Sequence, residues 1–565
     1  MQNSKTTPLI DISANTILAC VPVYNESQLE LKRTIDSFRH SIDNAQVHLT
    51  ILIDGPDKQS VPAIESVLAL GKNPSYINHE TYRSYAGTLT DALSPVDFLL
   101  IIKNKNGGKR HSHSLFLEIL SNSLREQHTT EEGLRTMKSS ILLVDSDTSF
   151  PPESVHALFS SLWHQKNKKT AAAAGFTFPR WRYSSPLEAA QNFEYWYTYM
   201  SDKAAQSAVG FVACVPGNFA LYKTADVIAP NIMDQYLRVA KNIFDFNKLH
   251  MGEDRYLTTL LLRNGHHTIF VPESKCETTS PKTIADFLSQ RRRWVNSKLV
   301  NDMEIATKPL IADSWSRRIV SSYMRVSAVI EAVATFTWPA FGFALASTFV
   351  SGFLNMSPYQ HTLLFVAYNT LFIALLWTMG HYKPSKSAWV YYTIFGLFSV
   401  YNLFAIGIAP FVLAHGSVSY SYLWVLAGLA VAAVSSLHVR AVRPSLLYGF
   451  ASFIVFTPAF VLAPLFAYAN VDDISWGTRD HVAPEEDKNN QVLQTAKRHK
   501  KVVLFSLITI NIILSYFLMR LPTIAVWFFF AMQIILWMPR FFLSLIYAIS
   551  SLARAPKLIP QVTEA

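Results

Sequence analysis

No Asp, Glu, Lys or Arg occurs from Ala332 to Tyr382, from Ser387 to Val439, or from Pro444 to Val471. A helix of roughly 20 apolar residues crosses a hydrocarbon core of about 30 Å, and a bilayer admits it because its backbone is satisfied internally. Each stretch is long enough to cross at least once, so the C-terminal half is expected to be membrane-embedded. Breaks at 355–361, at 416–421 and at basic loops divide it into spans near 332–354, 362–380, 389–414, 418–437 and 446–468. Two more follow a polar loop, near 502–519 and 523–549, the last interrupted by Pro539 and Arg540. With 50% hydrophobic and 16% charged residues and a mean hydropathy of +0.18, the chain is neither disordered nor purely soluble in composition.

Residues 1–310 read differently. Short apolar runs at 16–23, 47–53, 98–102 and 140–144 end in polar or Gly-rich turns, the pattern of buried strands in an α/β sheet. Met1–Ser13 lacks a basic segment followed by an apolar one, so no signal peptide is expected and this domain should stay on the side where it is made. Arg291–Arg293, Arg317, Arg318 and Arg325 precede the first span, and Lys383, Lys386, Arg440 and Arg443 lie in alternate loops, which places those loops in the cytosol. The net charge of +10 fits an anionic membrane surface or an anionic substrate, and no nucleic-acid partner is expected. Cys20, Cys214 and Cys276 form no CxxC pair and read as small buried residues. No internal repeat is found.

The chemistry gathers at strand ends. The first run leads into Pro22, Tyr24 and Glu26, and the second into Asp54. Carboxylates at the carboxyl ends of parallel strands line the crevice where such sheets hold nucleotides, although acidic residues there also cap helices. The fourth run ends in Asp145-Ser146-Asp147. That pair suits Mg²⁺ or Mn²⁺ on a diphosphate, or is a plain turn. Lys105–His113 sets Lys109 beside Gly107 and Gly108, as for residues that approach phosphates, or forms a solvated basic loop. Glu253-Asp254 supplies a candidate general base. Gln290-Arg291-Arg292-Arg293-Trp294, just before the membrane, suits a pyrophosphate and the flat face of a sugar.

Three stretches, Gly252–Thr259, Ser289–Ser297 and Asp472–Arg479, resemble the processive, membrane-integrated members of glycosyltransferase family 2, and chitin synthases most of all. The resemblance runs from about Val21 to Asp480. It implies an α/β nucleotide-sugar-binding domain of the GT-A type plus an all-α transmembrane bundle. The units would be a cytosolic transferase domain with interfacial helices at 1–310, transmembrane and interfacial helices at 311–470, a cytosolic Ser-Trp-Gly-Thr loop at 471–501, and C-terminal transmembrane helices at 502–565. Pro22, Tyr24, Glu26, Asp54, Lys109, Asp145 and Arg293 would bind the UDP-N-acetylglucosamine donor, with Asp147 on Mg²⁺ or Mn²⁺ and Asp254 as base. Pro216, Gly217, Glu253, Gln290, Trp294 and Trp476 would line the acceptor site and channel for a growing chitin chain. Asn218 stands where the family usually carries a small residue. The large N-terminal extension of many fungal relatives is missing, so a minimal enzyme is expected, integral to the lipid bilayer of the plasma membrane and compatible with a homo-oligomer. Hyaluronan synthase is the alternative enzyme reading, and a transporter or scaffold with a degenerate transferase domain is the non-enzymatic one.

Two features stay open on residues alone. Leu187–Gln206 reads equally as an amphipathic interfacial helix and as core. The resemblance puts Trp476 in the cytosol, as does the basic cluster Lys497–Lys501, yet five apolar segments separate it from Trp294. One must fail to cross, and 446–468 is expected to do so because Pro458 and Pro464 should break its helix.

Overall fold

The computed structural model describes residues 10, 15–24, 26–40, 46–55, 61–69, 71–89, 96–164, 168–180, 185–414, 443–475, 490–520, 531, 535 and 538–550. One mixed sheet organises the N-terminal half. Its strands are β1 (Ile17–Val23), β2 (Val47–Ile53), β3 (Gly71–Asn78), β4 (Tyr82–Leu89), β5 (Val96–Lys103), β6 (Ser140–Val144), β7 (Thr170–Pro179), β8 (Phe219–Lys223) and β9 (His267–Thr278). The spatial order is β3-β4-β5-β2-β1-β6-β8-β7-β9. The four expected runs are β5, β2, β1 and β6, and they form the parallel centre. Their side chains are buried on both faces, which is why they read as unbroken apolar runs. β8 runs antiparallel to β6, pairing Val144 with Phe219. The loop entering β8 therefore lies beside the end of β6, at the edge where the parallel strands terminate.

The helices that bear on the site are α1 (Gly108–Glu126), α2 (Pro186–Tyr197), α3 (Glu253–Arg263), α4 (Ile284–Thr307), α5 (Trp315–Leu354), α6 (Pro358–His381), α7 (Ala388–Ala414), α8 (Arg443–Ala469) and α9 (Asn490–Arg520), with α10 at Met538–Ser550. Among the described residues α5, α6, α7 and α9 are long and apolar enough to cross a membrane. Exposed Leu371, Trp389, Leu397, Phe505 and Phe517 supply the apolar outer surface that lipid requires. The first half of α5 instead rests on the sheet domain. Arg317 donates to the carbonyls of Gly210 (3.2 Å) and His266 (2.8 Å), Met324 packs with Phe211, Leu262 and Ile305, and Glu331 pairs with Lys298 of α4. The charge-free stretch of α5 begins beyond Glu331.

One expectation about the spans differs. α8 is continuous through Pro458 and Pro464, so the expected break is absent; neighbouring helices support a proline-containing segment where water would not. It nevertheless lies along helices of the sheet domain. Phe193 of α2 meets Phe450 and Phe453 at 5.4 and 5.3 Å, Phe287 of α4 meets Phe460 at 5.0 Å, and Asn296 Nδ2 donates to Ala467 O at 3.2 Å. Of the expected span 523–549, residues 538–549 lie in the apolar helix α10. It is pinned to the sheet domain: Tyr547 OH donates to Phe270 O at 2.6 Å, and Arg540 pairs with Asp202 (3.4 Å) and with Glu331. Arg540 within this apolar segment demands those carboxylates. The expected span 418–437 lies outside the described residues.

Leu187–Gln206 meets its core reading. α2 continues through a π-helical turn at Thr198–Lys203 into a short helix at Ala204–Ala208. Trp196 and Tyr199 join the domain core, while Phe193 faces α8.

Candidate active site

The end of β6 presents Asp145, and α1 delivers Lys109 to it. Gly108 has φ +75°, the left-handed region that glycine enters without penalty, and it starts α1 so that Lys109 sits in the first turn. The basic stretch is thus a helix start and not a solvated loop. Lys109 Nζ lies 2.6 Å from Asp145 Oδ1 and 3.2 Å from Glu253 Oε1. Glu253 and Asp254 open α3, and Gly217 N donates to Asp254 Oδ2 at 2.9 Å. Asp145 N in turn donates to Asn218 O at 3.2 Å. Lys109, Asp145, Gly217, Glu253 and Asp254 are therefore brought together from four separate segments.

One ammonium cannot neutralise these carboxylates. Burial alone would lower the Lys109 pKa, but Asp145 and Glu253 reverse that and hold it well above the usual lysine range. Burial raises Asp145, with Lys109 only partly opposing it, and raises Glu253 in the same way.

Asp147 lies one turn residue further on. Its carboxylate accepts the hydroxyls of Thr278 (3.1 Å) and Thr279 at the end of β9, and its carbonyl accepts Arg180 Nη2 at 2.9 Å. Among the described residues no three His, Cys, Asp or Glu side chains converge as a closed metal site. Mg²⁺ needs only one or two protein carboxylates when substrate phosphates complete its shell. Asp147, whose only side-chain partners among the described residues are rotatable hydroxyls, two residues from Asp145, fits that open kind of site.

The remaining donor candidates ring the same edge. Asp54 is buried, with Oδ1 2.6 Å from Lys103 Nζ and accepting Gly107 N at 2.9 Å. It therefore fixes the turn ahead of α1. Tyr24 N donates to Glu26 Oε2 at 2.6 Å, and Pro22 is half-buried on β1 opposite Leu52.

On α4, Arg291 and Arg292 point to different neighbours because successive helical residues are about 100° apart. Arg291 forms a fork with Glu194 of α2, at 2.5 and 2.6 Å. Arg292 pairs with Asp473 Oδ2 at 2.5 Å and donates to the carbonyls of Asp473 (2.6 Å) and Ser475. The chain after α8 is thereby tied to the sheet domain. Gln290 Oε1 is buried with no hydrogen-bond partner among the described residues. Trp294 is 37% exposed. Lys203, from the π-helical turn, donates to Cys214 O at 2.5 Å and supports the loop carrying Pro216 and Gly217. Trp476 lies outside the described residues.

Reasoning from sequence missed Glu194, Lys203, Thr278 and Thr279. Only Thr278-Thr279 carried a local signal, hydroxyls at a strand end; the other two are placed by packing between distant segments.

A family model described as chitin synthase matches residues 122–407, half of the chain. Chitin synthase 4 of Pyricularia oryzae is 29% identical over 61% of this chain and 33% of its own length. Chitin synthase chs-2 of Caenorhabditis elegans is 25% identical over 73% of this chain and 25% of its own. The chain thus spans a third or less of these relatives. Among solved structures, the mannosyltransferase PcManGT from Pyrobaculum calidifontis, in complex with GDP-Man and Mn²⁺, aligns over 81% of this chain and 90% of its own at 11% identity and a TM-score of 0.35. With the family model covering half of its length, from within α1 to within α7, this chain belongs to the chitin synthase family.

Proposed function

We propose that the protein is a chitin synthase that transfers N-acetylglucosamine processively from UDP-N-acetylglucosamine to the non-reducing end of a β-1,4-linked chain and passes that chain across the membrane. The observation that carries this reading is Asp254, held by the Gly217 N–H beside Lys109 and Asp145 at the edge where the parallel strands end. Its carboxylate takes the proton of the acceptor 4-hydroxyl. The freed oxygen attacks the anomeric carbon from the face opposite the diphosphate, the bond from that carbon to the phosphate oxygen breaks, and its electron pair leaves with UDP. One bond forms as one breaks, so configuration inverts without a covalent enzyme intermediate.

Lys109 and Arg293 supply positive charge where negative charge develops on the departing diphosphate. Asp147, with Asp145 behind it, would hold Mg²⁺ or Mn²⁺, which when bound neutralises that diphosphate. Asp54 and Glu26 set the turns around the nucleoside. Trp294 gives the acceptor sugar a flat surface, and Arg292 keeps the loop after α8 on the cytosolic side where the donor is found.

The test is purified protein in bilayer supplied with labelled UDP-N-acetylglucosamine as sole donor. A polymer digested by chitinase is expected, and a requirement for a second, glucuronic acid donor would refute the reading in favour of hyaluronan synthesis. Asp254→Asn should retain donor binding and lose about two to four decades of transfer rate; near-normal turnover would remove Asp254 from the role of base.

A further inference from the structure

Arg291 and Trp294 are three residues apart on α4 and share a face. The guanidinium carbon of Arg291 lies 4.3 Å from the centre of the Trp294 ring, so one face of the indole is covered. Tyr195 flanks the ring at 6.1 Å and 59°. Phe287 and Phe460 close over the same guanidinium at 4.8 and 5.7 Å. An arginine lying flat on a ring has many competing rotamers, and this one is fixed by its far end: both terminal nitrogens donate to the two oxygens of Glu194. Glu194 belongs to α2, whose next residue is Tyr195. A single turn of α2 thus sets both the cation behind the indole and the aromatic edge beside it.

We propose that Glu194 is a positioning residue for acceptor recognition. It holds Arg291 against one face of Trp294, so that only the opposite, exposed face is offered to a pyranose. A β-linked sugar presents its flat C–H surface to an aromatic ring, and a ring able to turn would admit it at more than one depth. A fixed ring defines one depth, hence one distance between the acceptor hydroxyl and Asp254. Lysine at 291 would not serve, because its ammonium cannot stack flat and accept a two-pronged partner together. The inference rests on the reading that Trp294 receives the acceptor.

The test uses the full chain in bilayer with three measurements: thermal unfolding, UDP release from UDP-N-acetylglucosamine without acceptor, and transfer to a short β-1,4-linked N-acetylglucosamine oligosaccharide. Glu194→Gln removes the charge but keeps the size. Its acceptor KM should rise about tenfold, the loss of one charge-assisted pair, while donor KM and acceptor-independent UDP release stay within about twofold. The exchange Glu194→Arg with Arg291→Glu restores an ion pair between α2 and α4 but puts a carboxylate behind the indole. It should melt like the unsubstituted protein and remain impaired for the acceptor. An unmoved acceptor KM in Glu194→Gln overturns the proposal, as does recovery of acceptor KM together with stability in the exchanged variant, which would make Glu194 a structural tie. Absence of transfer by the unsubstituted protein overturns the underlying reading and this proposal with it.

Discussion

Gly252 immediately precedes Glu253 and the proposed base Asp254 and has φ −159°, an extended conformation open to any residue. Space is what demands glycine. A Cβ added there would overlap Ser297 Oγ outright and lie 2.5 Å from Ser297 Cβ on α4. The hydroxyl can rotate away, but the Ser297 Cβ cannot. To restore an ordinary contact, the start of α3 must back away from α4 by about 1 Å, and a misplacement of that size at a reacting group costs roughly a hundredfold in rate. Gly252→Ala should therefore lower kcat for transfer by about two decades and, as an overpacked contact, cost about 1–3 kcal/mol of stability. Donor affinity should change little, because Lys109, Asp145 and Asp147 stand on α1 and in the turn after β6. Adding Ser297→Gly removes both obstructing atoms for a helix-propensity cost of about 1 kcal/mol. The double variant should then regain most of the lost kcat while melting no higher than the wild type. Radiolabel incorporation and donor titration measure the two effects separately. Normal kcat in Gly252→Ala, or no recovery in the double variant, would refute the view that α3 and α4 are registered through this contact.

Other expectations follow from the same geometry. Asp147→Ala should weaken metal-dependent donor binding in a calorimetric titration at fixed Mn²⁺, and equal affinity with and without Mn²⁺ in the unsubstituted protein would move the metal elsewhere. His250 is pushed down to about 3 by burial and by Arg110, and His113 well below its usual value by burial and by Lys109 and Lys103. Both folded pKa values lie below the unfolded 6.5, so the unfolded chain binds protons first; their contribution is complete above pH 6.5 and declines as pH falls toward 3. The melting temperature should drop across that window, with a shallower slope in His250→Gln, and an unchanged slope would discount His250. A cysteine at Ser475 should resist membrane-impermeant thiol reagents in sealed right-side-out vesicles and react once they are opened, because Arg292 ties that segment to the sheet domain. Labelling in the sealed vesicles would put it on the outer side.

The parallel centre of the sheet was legible because β1, β2, β5 and β6 are buried on both faces and therefore carry unbroken apolar runs. β3 and β4, an antiparallel hairpin at the edge, carry polar and exposed residues such as Lys72, Ser75 and Tyr76, and no such run marks them. β7 is an alanine-rich segment, Ala171–Ala174, with weak strand propensity; pairing with β8 and β9 on either side decides its state. Asp145, Lys109, Glu253 and Asp254 were found because strand ends and helix starts are local signals. The Glu194 fork and the Lys203 support were not, since each joins segments whose approach depends on the whole domain. Pro458 and Pro464 misled for the same reason: a proline weakens an isolated helix, but α8 is held by α2 and α4.

The three consecutive arginines of α4 have an implication for how the chain tolerates insertions. Arg291 reaches the α2 carboxylate and Arg292 the segment after α8, while Arg293 is the residue proposed for the donor. They resemble teeth cut at fixed angles on one shaft. One residue inserted between Ile284 and Gln290, or one deleted there, turns everything downstream by about 100° and offers each anchor the wrong tooth, although the composition and charge of the motif are unchanged. Length variation in this protein should therefore be accommodated before Ile284 or beyond Thr307, outside the helix that carries the teeth.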